Sequence, residues 1–304
     1  MPDGRRLCCG KASKRNHPPR DALAPMCWRS AAACASWSKE HRFCVAWPTE
    51  YNRDMVSLLV VALGVLVGAV VNRLGTDLPA RHPPRRPRCP YCGRPRPWYH
   101  WVTLPTYIVG RARCPHCSAP IPLRYPLVEL ALGFLFGCLY LRYGPTVQSG
   151  FFATYTAIFA LVTITDLERR VILNVVTLPA MALAMIGSFF TGNTAWWSAL
   201  LGGLLGYVFF LIAALVGNLL LGPGALGGGD VKLAAFVGLV VGFPLVVEAL
   251  VLTILSGGLI SLLLLVTRLR SLRDPIPYGP FLVIGGWVTM LWGMEIAQWF
   301  LWRT

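Results

Sequence analysis

From residue 55 onward the chain is a succession of long apolar blocks, and that feature constrains the fold more than any other. Eight blocks stand out, at roughly 55–71, 126–141, 149–165, 172–190, 195–221, 231–243, 245–267 and 279–302. Hydrocarbon offers no partner for an open backbone N–H or C=O, so a spanning segment satisfies itself as a helix. Such a helix needs about 20 residues, within a range of about 17–25. The blocks 126–141 and 231–243 fall short of that length. The stretch 231–267 also reads as one kinked span plus a re-entrant piece, with a break at Pro244. Charged residues make up 13% of the 304, against about 25% in a soluble domain. The expected fold is an all-α polytopic membrane protein with about eight transmembrane helices.

The net charge of +15 would suit nucleic acid on a soluble protein. Here the basic residues gather in loops, as they do on the cytoplasmic side of membrane proteins. Loop 72–125 holds ten Lys/Arg and one acid, Asp77. Counting eight spans from a cytoplasmic 72–125 puts loops 166–171, 222–230 and 268–278 on the same side. Those loops and the adjoining helix end carry Arg169, Arg170, Lys232, Arg268, Arg270 and Arg273. Beyond the first 54 residues the other side holds Arg142 and Arg303. The expected partner is therefore the lipid bilayer, and nucleic acid is disfavoured. Nothing in the sequence sets the oligomeric state.

Residues 1–54 fit this pattern poorly. They carry ten basic and five acidic residues and five of the ten cysteines, with no apolar h-region, so they are no secretory signal peptide. We expect Met55 to be the start and 1–54 to be a spurious upstream extension; the alternative is a disordered tail. The remaining divisions are a first transmembrane helix at 55–71, a basic four-cysteine module at 72–125 and a transmembrane core at 126–304.

Within the module, Cys89-Pro90-Tyr91-Cys92 and Cys114-Pro115-His116-Cys117 are separated by 21 residues. Two such pairs can bring four thiolates into the tetrahedron that structural zinc prefers. A reducing compartment disfavours the other reading, two disulfides. Four cysteines complete the site without His116. A closed site leaves no position for substrate, so zinc is expected to be structural. Arg85, Arg86, Arg88, Arg94, Arg96, Arg111 and Arg113 surround it, either to meet anionic lipid or to hold topology. Cys138 lies in an apolar block, as a packing residue.

After residue 55 there are eight acids: Asp77, Glu129, Asp166, Glu168, Asp230, Glu248, Asp274 and Glu295. A charge near hydrocarbon is costly and needs a reason. Asp166 closes the third block, and Asp230 follows Gly227-Gly228-Gly229 just before the sixth. The span count puts both at one membrane face. Two neighbouring carboxylates cannot both ionise easily, so one activates water while its protonated partner polarises a peptide carbonyl. The three glycines leave room for another helix or an extended substrate. Taken singly, Asp166 could instead pair with Arg169 or Arg170, and Asp230 could cap a helix. Glu168 points away from Asp166 and reads as a surface charge. Glu129 reads as structural, paired with Arg124 or with a backbone group. Glu248 and Glu295 fall near the outer side.

On these residues the chain resembles the type IV prepilin peptidases, the prepilin leader peptidase/N-methyltransferases. The likeness rests on four stretches. They are the two cysteine pairs followed by Arg124-Tyr125-Pro126-Leu127-Val128-Glu129-Leu130; Asp166 with Ile172 and Thr177-Leu178-Pro179; Gly227-Gly228-Gly229-Asp230-Val231-Lys232-Leu233, which matches a Gly-x-Gly-Asp signature; and Ile276-Pro277-Tyr278-Gly279-Pro280-Phe281. The resemblance implies that Asp166 and Asp230 are the catalytic aspartates of a protein in the bacterial inner membrane. It implies cleavage of the basic leader from prepilins or pseudopilins at the cytoplasmic face. It also implies, for members with the cysteine loop, methylation of the new N-terminus with S-adenosylmethionine. Two features depart from the family pattern: Ile172-Leu173-Asn174 stands where members often read Ile-Pro-Asp, and the first span ends in an abbreviated Val71-Asn72-Arg73-Leu74. Two other readings compete. A presenilin-like protease would carry Tyr-Asp where this chain has Thr165-Asp166, and a transporter or scaffold with a zinc ribbon would have no cleavage to lose.

Overall fold

The computed structural model describes residues 50–80, 88–89, 91–97, 100–109, 112–191, 195–222, 226–268 and 277–301. The chain divides into two units, Met1–Trp47 and Pro48–Thr304, and everything described belongs to the second. Most of the N-terminal extension lies outside the described residues, as do Arg85, Arg86, Arg111, Arg270, Arg273, Asp274, Ile276 and Arg303.

The described residues are helical, in the order α1 (Glu50–Asp77), α2 (Leu104–Ile108), α3 (Arg124–Tyr143), α4 (Val147–Arg169), α5 (Asn174–Thr191), α6 (Trp196–Leu221), α7 (Gly228–Val241), α8 (Leu245–Val266) and α9 (Gly279–Leu301). Seven of them, all but α2 and α7, are long and apolar enough to cross a membrane. The protein is a multi-pass membrane protein.

Two elements differ in extent from the apolar blocks. Helix α1 runs past Val71 to Asp77, and two side chains of its polar end find hydrogen-bond acceptors. The Asn72 amide donates to the Tyr125 carbonyl at 3.0 Å, and the Thr76 hydroxyl donates to the Asn72 carbonyl at 2.7 Å. The stretch 231–267 forms two helices. Gly242, with φ 73°, ends α7, and Pro244 caps α8. Helix α7 has 14 residues, about 21 Å of rise, against about 30 Å of hydrocarbon. It is apolar all round and buried from Leu233 to Val241, as a helix wrapped by its neighbours should be.

Close approach of backbones holds the bundle together, as small residues allow in membranes. On the α1–α3 contact, a Cβ added to Gly64 would lie 2.6 Å from the Leu132 carbonyl oxygen. On the α6–α7 contact, one added to Gly238 would lie 2.2 Å from that of Gly202. Hydrogen bonds and ion pairs then match the helix ends. At one end Asn72 meets Tyr125, Arg124 pairs with Glu168 and Lys232 meets Asn174. At the other, the Tyr143 hydroxyl donates to the Met290 carbonyl and Arg142 pairs with Glu295. The first end also carries the cysteine module, Arg169 and Arg170. The second carries Glu295, as the span count expects.

Candidate active site

Asp166 stands in the last turn of α4 and is 5% exposed. The helix stops just beyond it, where Arg170 turns left-handed with its N–H on the Asp166 carbonyl at 2.8 Å. Asp230 stands in the first turn of α7. The cap itself is Gly227, whose carbonyl accepts from the Asp230 N–H at 3.0 Å, so the N-cap role open to Asp230 falls to a glycine.

Helices α4 and α7 meet through Phe159 and Phe236, with ring centroids 5.2 Å apart. Tyr155 meets the same Phe236 ring edge-on. Asp166 lies seven residues beyond Phe159, and Asp230 six before Phe236. At 1.5 Å per residue both are about 9–10.5 Å from that aromatic contact, on the same side of it. The two aspartates thus lie at the same end of the bundle, as the span count places them.

Asp166 is held by a group that side-chain patterns do not show. The backbone N–H of Gly279, the first residue of α9, donates to its Oδ2 at 3.0 Å. A Cβ on Gly279 would lie 2.5 Å from that oxygen. The sequence signal was Pro277-Tyr278-Gly279-Pro280, noted as a motif without a role. Among the described residues, neither Arg169 nor Arg170 forms an ion pair with Asp166. The Oδ1 of Asp230 is buried without a hydrogen-bond partner among the described residues.

The three glycines divide their roles. Gly229 packs on Ile172, where a Cβ would come within 2.7 Å of the isoleucine Cβ. Gly228 is exposed and faces open space, and Gly227 is exposed beside the Asp230 carboxyl. One glycine thus serves helix packing, and two leave an open approach next to Asp230. Lys232 projects to α5, where its Nζ donates to Asn174 Oδ1 at 2.8 Å.

The four cysteines come together as expected. Their sulfurs lie within 4.8 Å of one another, with Cys89–Cys117 at 3.7 Å and Cys92–Cys114 at 3.9 Å. A tetrahedral zinc with bonds of about 2.3 Å spaces its sulfurs about 3.8 Å apart, so the donor set fits. The two halves are alike. Cys89 N–H donates to Arg94, and Gly93 N–H donates back to Cys89; Cys114 and Ser118 repeat this with Ala119. Gly93 and Ser118 both take positive φ, 68° and 56°, which suits glycine and strains serine. N–H groups of His116 and Cys117 aimed at Cys114 lower its pKa to about 6. Cys117 receives the N–H of Ala119, which favours its thiolate, yet burial and the neighbouring sulfurs push it up to about 12. Four crowded thiols do not ionise together unless a cation offsets their charge, and the geometry of this cluster could hold a metal ion.

Glu129 is fully buried. Its carboxylate accepts from the N–H groups of Thr103, at 2.9 and 2.8 Å, and of Leu104, at 2.7 Å. Of the two partners considered from sequence it takes the backbone group, while Arg124 pairs with Glu168. Arg96, over the Tyr125 ring at 5.1 Å, adds a cation near it. These contacts dock the module onto α3.

Residues 153–262 match the type IV leader peptidase family, and residues 62–143 match the bacterial Peptidase A24 N-terminal domain. The chain is 32% identical over 214 residues to a prepilin leader peptidase/N-methyltransferase of Pseudomonas aeruginosa, covering 70% of this chain and 73% of that one. It is 31% identical over 213 residues to the protein of the same name from Aeromonas hydrophila, at 70% and 73% coverage. It is 24% identical over 249 residues to the one from Bacillus subtilis, at 81% and 98%. No solved structure matches.

Proposed function

The chain belongs to the type IV leader peptidase family, and on that premise we propose that it is a membrane-embedded aspartic endopeptidase that removes the leader peptide from prepilins or pseudopilins. The observation that carries the reading is that Asp166 and Asp230 stand at the same end of the bundle, on one side of the Phe159–Phe236 contact, with the open backbone of Gly227 and Gly228 beside Asp230.

The roles follow from the hydrogen bonds. An N–H donated to a carboxylate stabilises the charged form, so Asp166, held by Gly279, is suited to be the base. Asp230, with an unpartnered Oδ1, is suited to carry the proton. Asp166 takes a proton from water as the water oxygen attacks the scissile carbonyl, and Asp230 donates to the developing oxyanion. The C–N bond then breaks as the proton gained by Asp166 passes to the leaving amine and a hydroxyl of the gem-diol returns its proton to Asp230, leaving two peptides and the pair as it began. The carboxyls act as one coupled pair.

The basic residues at the aspartate end support an active site facing the cytoplasm of the inner membrane. The four sulfurs suit zinc, and Cys89, Cys92, Cys114 and Cys117 would hold it. Bound there it would tie the two knuckles together without opening to substrate. The relatives from Pseudomonas aeruginosa and Aeromonas hydrophila are named as N-methyltransferases as well, and methylation of the new N-terminus from S-adenosylmethionine is the second activity proposed.

The test is reconstitution in liposomes with a prepilin, followed by mass spectrometry of the N-terminus. Loss of the leader is expected, with one added methyl group when S-adenosylmethionine is present. An intact prepilin would overturn the peptidase reading, and a cleaved but unmethylated product would overturn the second activity alone.

A further inference from the structure

At the end of the bundle away from the aspartates, α7 finishes with open carbonyls. The Gly242 N–H closes on Gly238, but the next two carbonyls lose their helical partners. The Phe243 N–H, due to Leu239, turns instead to the Ser198 carbonyl at 2.9 Å. Pro244, due to Val240, has no N–H to give. Leu239 and Val240 are 8% and 6% exposed, and a buried carbonyl needs a donor. The aligned peptides of the helix add partial negative charge at this end. Val240 and Val241 line a cavity of about 130 Å³, and Arg142, Tyr143, Thr289 and Glu295 are among its other walls. The Thr289 hydroxyl is itself buried without a hydrogen-bond partner among the described residues.

This cavity is separate from the peptidase site, since Val240 stands ten residues, about 15 Å, along α7 from Asp230. It has room for about four waters, far less than the roughly 300–1,000 Å³ of a pocket for a whole ligand. It therefore suits a small polar group. Its level is that of the membrane interface. Helix α9 runs on for six residues, about 9 Å, beyond Glu295, and Trp292 and Trp299 are exposed on this part of it, as tryptophan is at the edge of a bilayer. The rim carries both signs of charge. Arg142 and Glu295 pair through one guanidinium nitrogen and one carboxylate oxygen, with side chains 41% and 48% exposed, which leaves an oxygen and further N–H groups for a ligand. A bare metal cation would suit the carbonyls and Glu295 but is repelled by Arg142. A ligand that carries an ammonium beside a phosphate suits all of them, and only an ammonium with N–H groups brings donors to the carbonyls.

We propose that this cavity binds the phosphoethanolamine head of a membrane lipid from the leaflet at that end. The primary ammonium sits at the carboxyl end of α7 and on Glu295, and the phosphate sits on Arg142. The site does not depend on the peptidase reading.

The experiment places the full chain in liposomes of ethanolamine and choline phospholipids in equal amounts with the same acyl chains. The protein is extracted in mild detergent, and the lipid it retains is weighed by native mass spectrometry. The wild type is expected to keep one ethanolamine lipid with at least about a tenfold preference over choline, the factor that a hydrogen bond to a charged group supplies. The double substitution Arg142→Gln/Glu295→Gln removes both charges and strands neither, and it should bring the preference close to one. Glu295→Gln alone should lower it. Equal retention of the two lipids by the wild type, as a cavity holding only water would give, overturns the proposal. So does a preference that survives both variants. Thermal unfolding in choline-only liposomes separates the lipid from a soluble ligand. Free phosphoethanolamine should leave Tm unchanged there, and a shift as large as that given by the ethanolamine lipid would overturn the assignment to a lipid.

Discussion

Gly279→Ala is the substitution that most sharply separates a working site from a well-packed one. The new Cβ would lie 2.5 Å from Asp166 Oδ2 and 3.1 Å from its Cγ. Ordinary contact begins at 3.4 Å, so the carboxylate must retreat by the difference, 0.9 Å. A displacement of about 1 Å in catalytic geometry costs about a hundredfold in rate. Losing the N–H bond to a charged group adds about 1.5–3 kcal/mol, of the same order. The cost in stability is smaller, about 1–3 kcal/mol for overpacking a filled site. The assay is kcat for prepilin cleavage in liposomes, with thermal unfolding measured on the same preparations. Gly258→Ala serves as the control, because a Cβ there meets nothing within 4 Å. The expected result is a fall of about a hundredfold for Gly279→Ala in protein that still folds. Cleavage within about threefold of the wild type would show that the Gly279 contact does not position the reacting carboxylate.

Other perturbations probe the supporting parts. Glu129→Ala strands the N–H groups of Thr103 and Leu104, at about 1–3 kcal/mol for each buried donor. It should open the module to limited proteolysis between residues 104 and 123, while Glu129→Gln, which keeps one acceptor oxygen, should be milder; equal resistance in both variants would contradict the docking role. The purified protein should carry about one zinc per chain by elemental analysis, and Cys114→Ala should lower that content, whereas a metal-free wild type would contradict the four-cysteine site. Gly238→Val brings a branched side chain against the Gly202 carbonyl and should cost about 3 kcal/mol or more. It would be seen as a lower yield of folded, detergent-extracted protein, and a normal yield would contradict the close α6–α7 contact.

Features confined to one stretch of chain could be read without coordinates. The blocks at 195–221 and 245–267 become Trp196–Leu221 and Leu245–Val266, because a membrane helix is defined by its own apolar length. The cysteine knuckles are also local, each closed by hydrogen bonds over five residues. Counting apolar residues stops at Asn72, so it could not foresee that Tyr125 would meet that amide or that α1 would run on to Asp77. Glu129 was recognisable as needing a partner, but Thr103 and Leu104 meet it through their backbone N–H groups, which no side-chain pattern reveals. For the same reason the Gly279 N–H on Asp166 was hidden inside a motif. The Lys232–Asn174 contact joins residues 58 apart and needed the packing of α5 on α7 to appear. The aspartates fell in between: the span count placed them at one face, and the aromatic contact of Phe159 with Phe236 brings them to a common height.

The central claim is that Asp166 and Asp230 are the cooperating acids of a peptidase. Its most direct test is cleavage of a prepilin by membranes holding the wild type, Asp166→Asn or Asp230→Asn at matched expression and insertion. Each substitution keeps the size of the side chain and removes its charge and acid–base capacity. The account predicts cleavage by the wild type and at least about a thousandfold loss in either variant, since acid–base partners act as a unit. Cleavage at wild-type rate by either variant would contradict it.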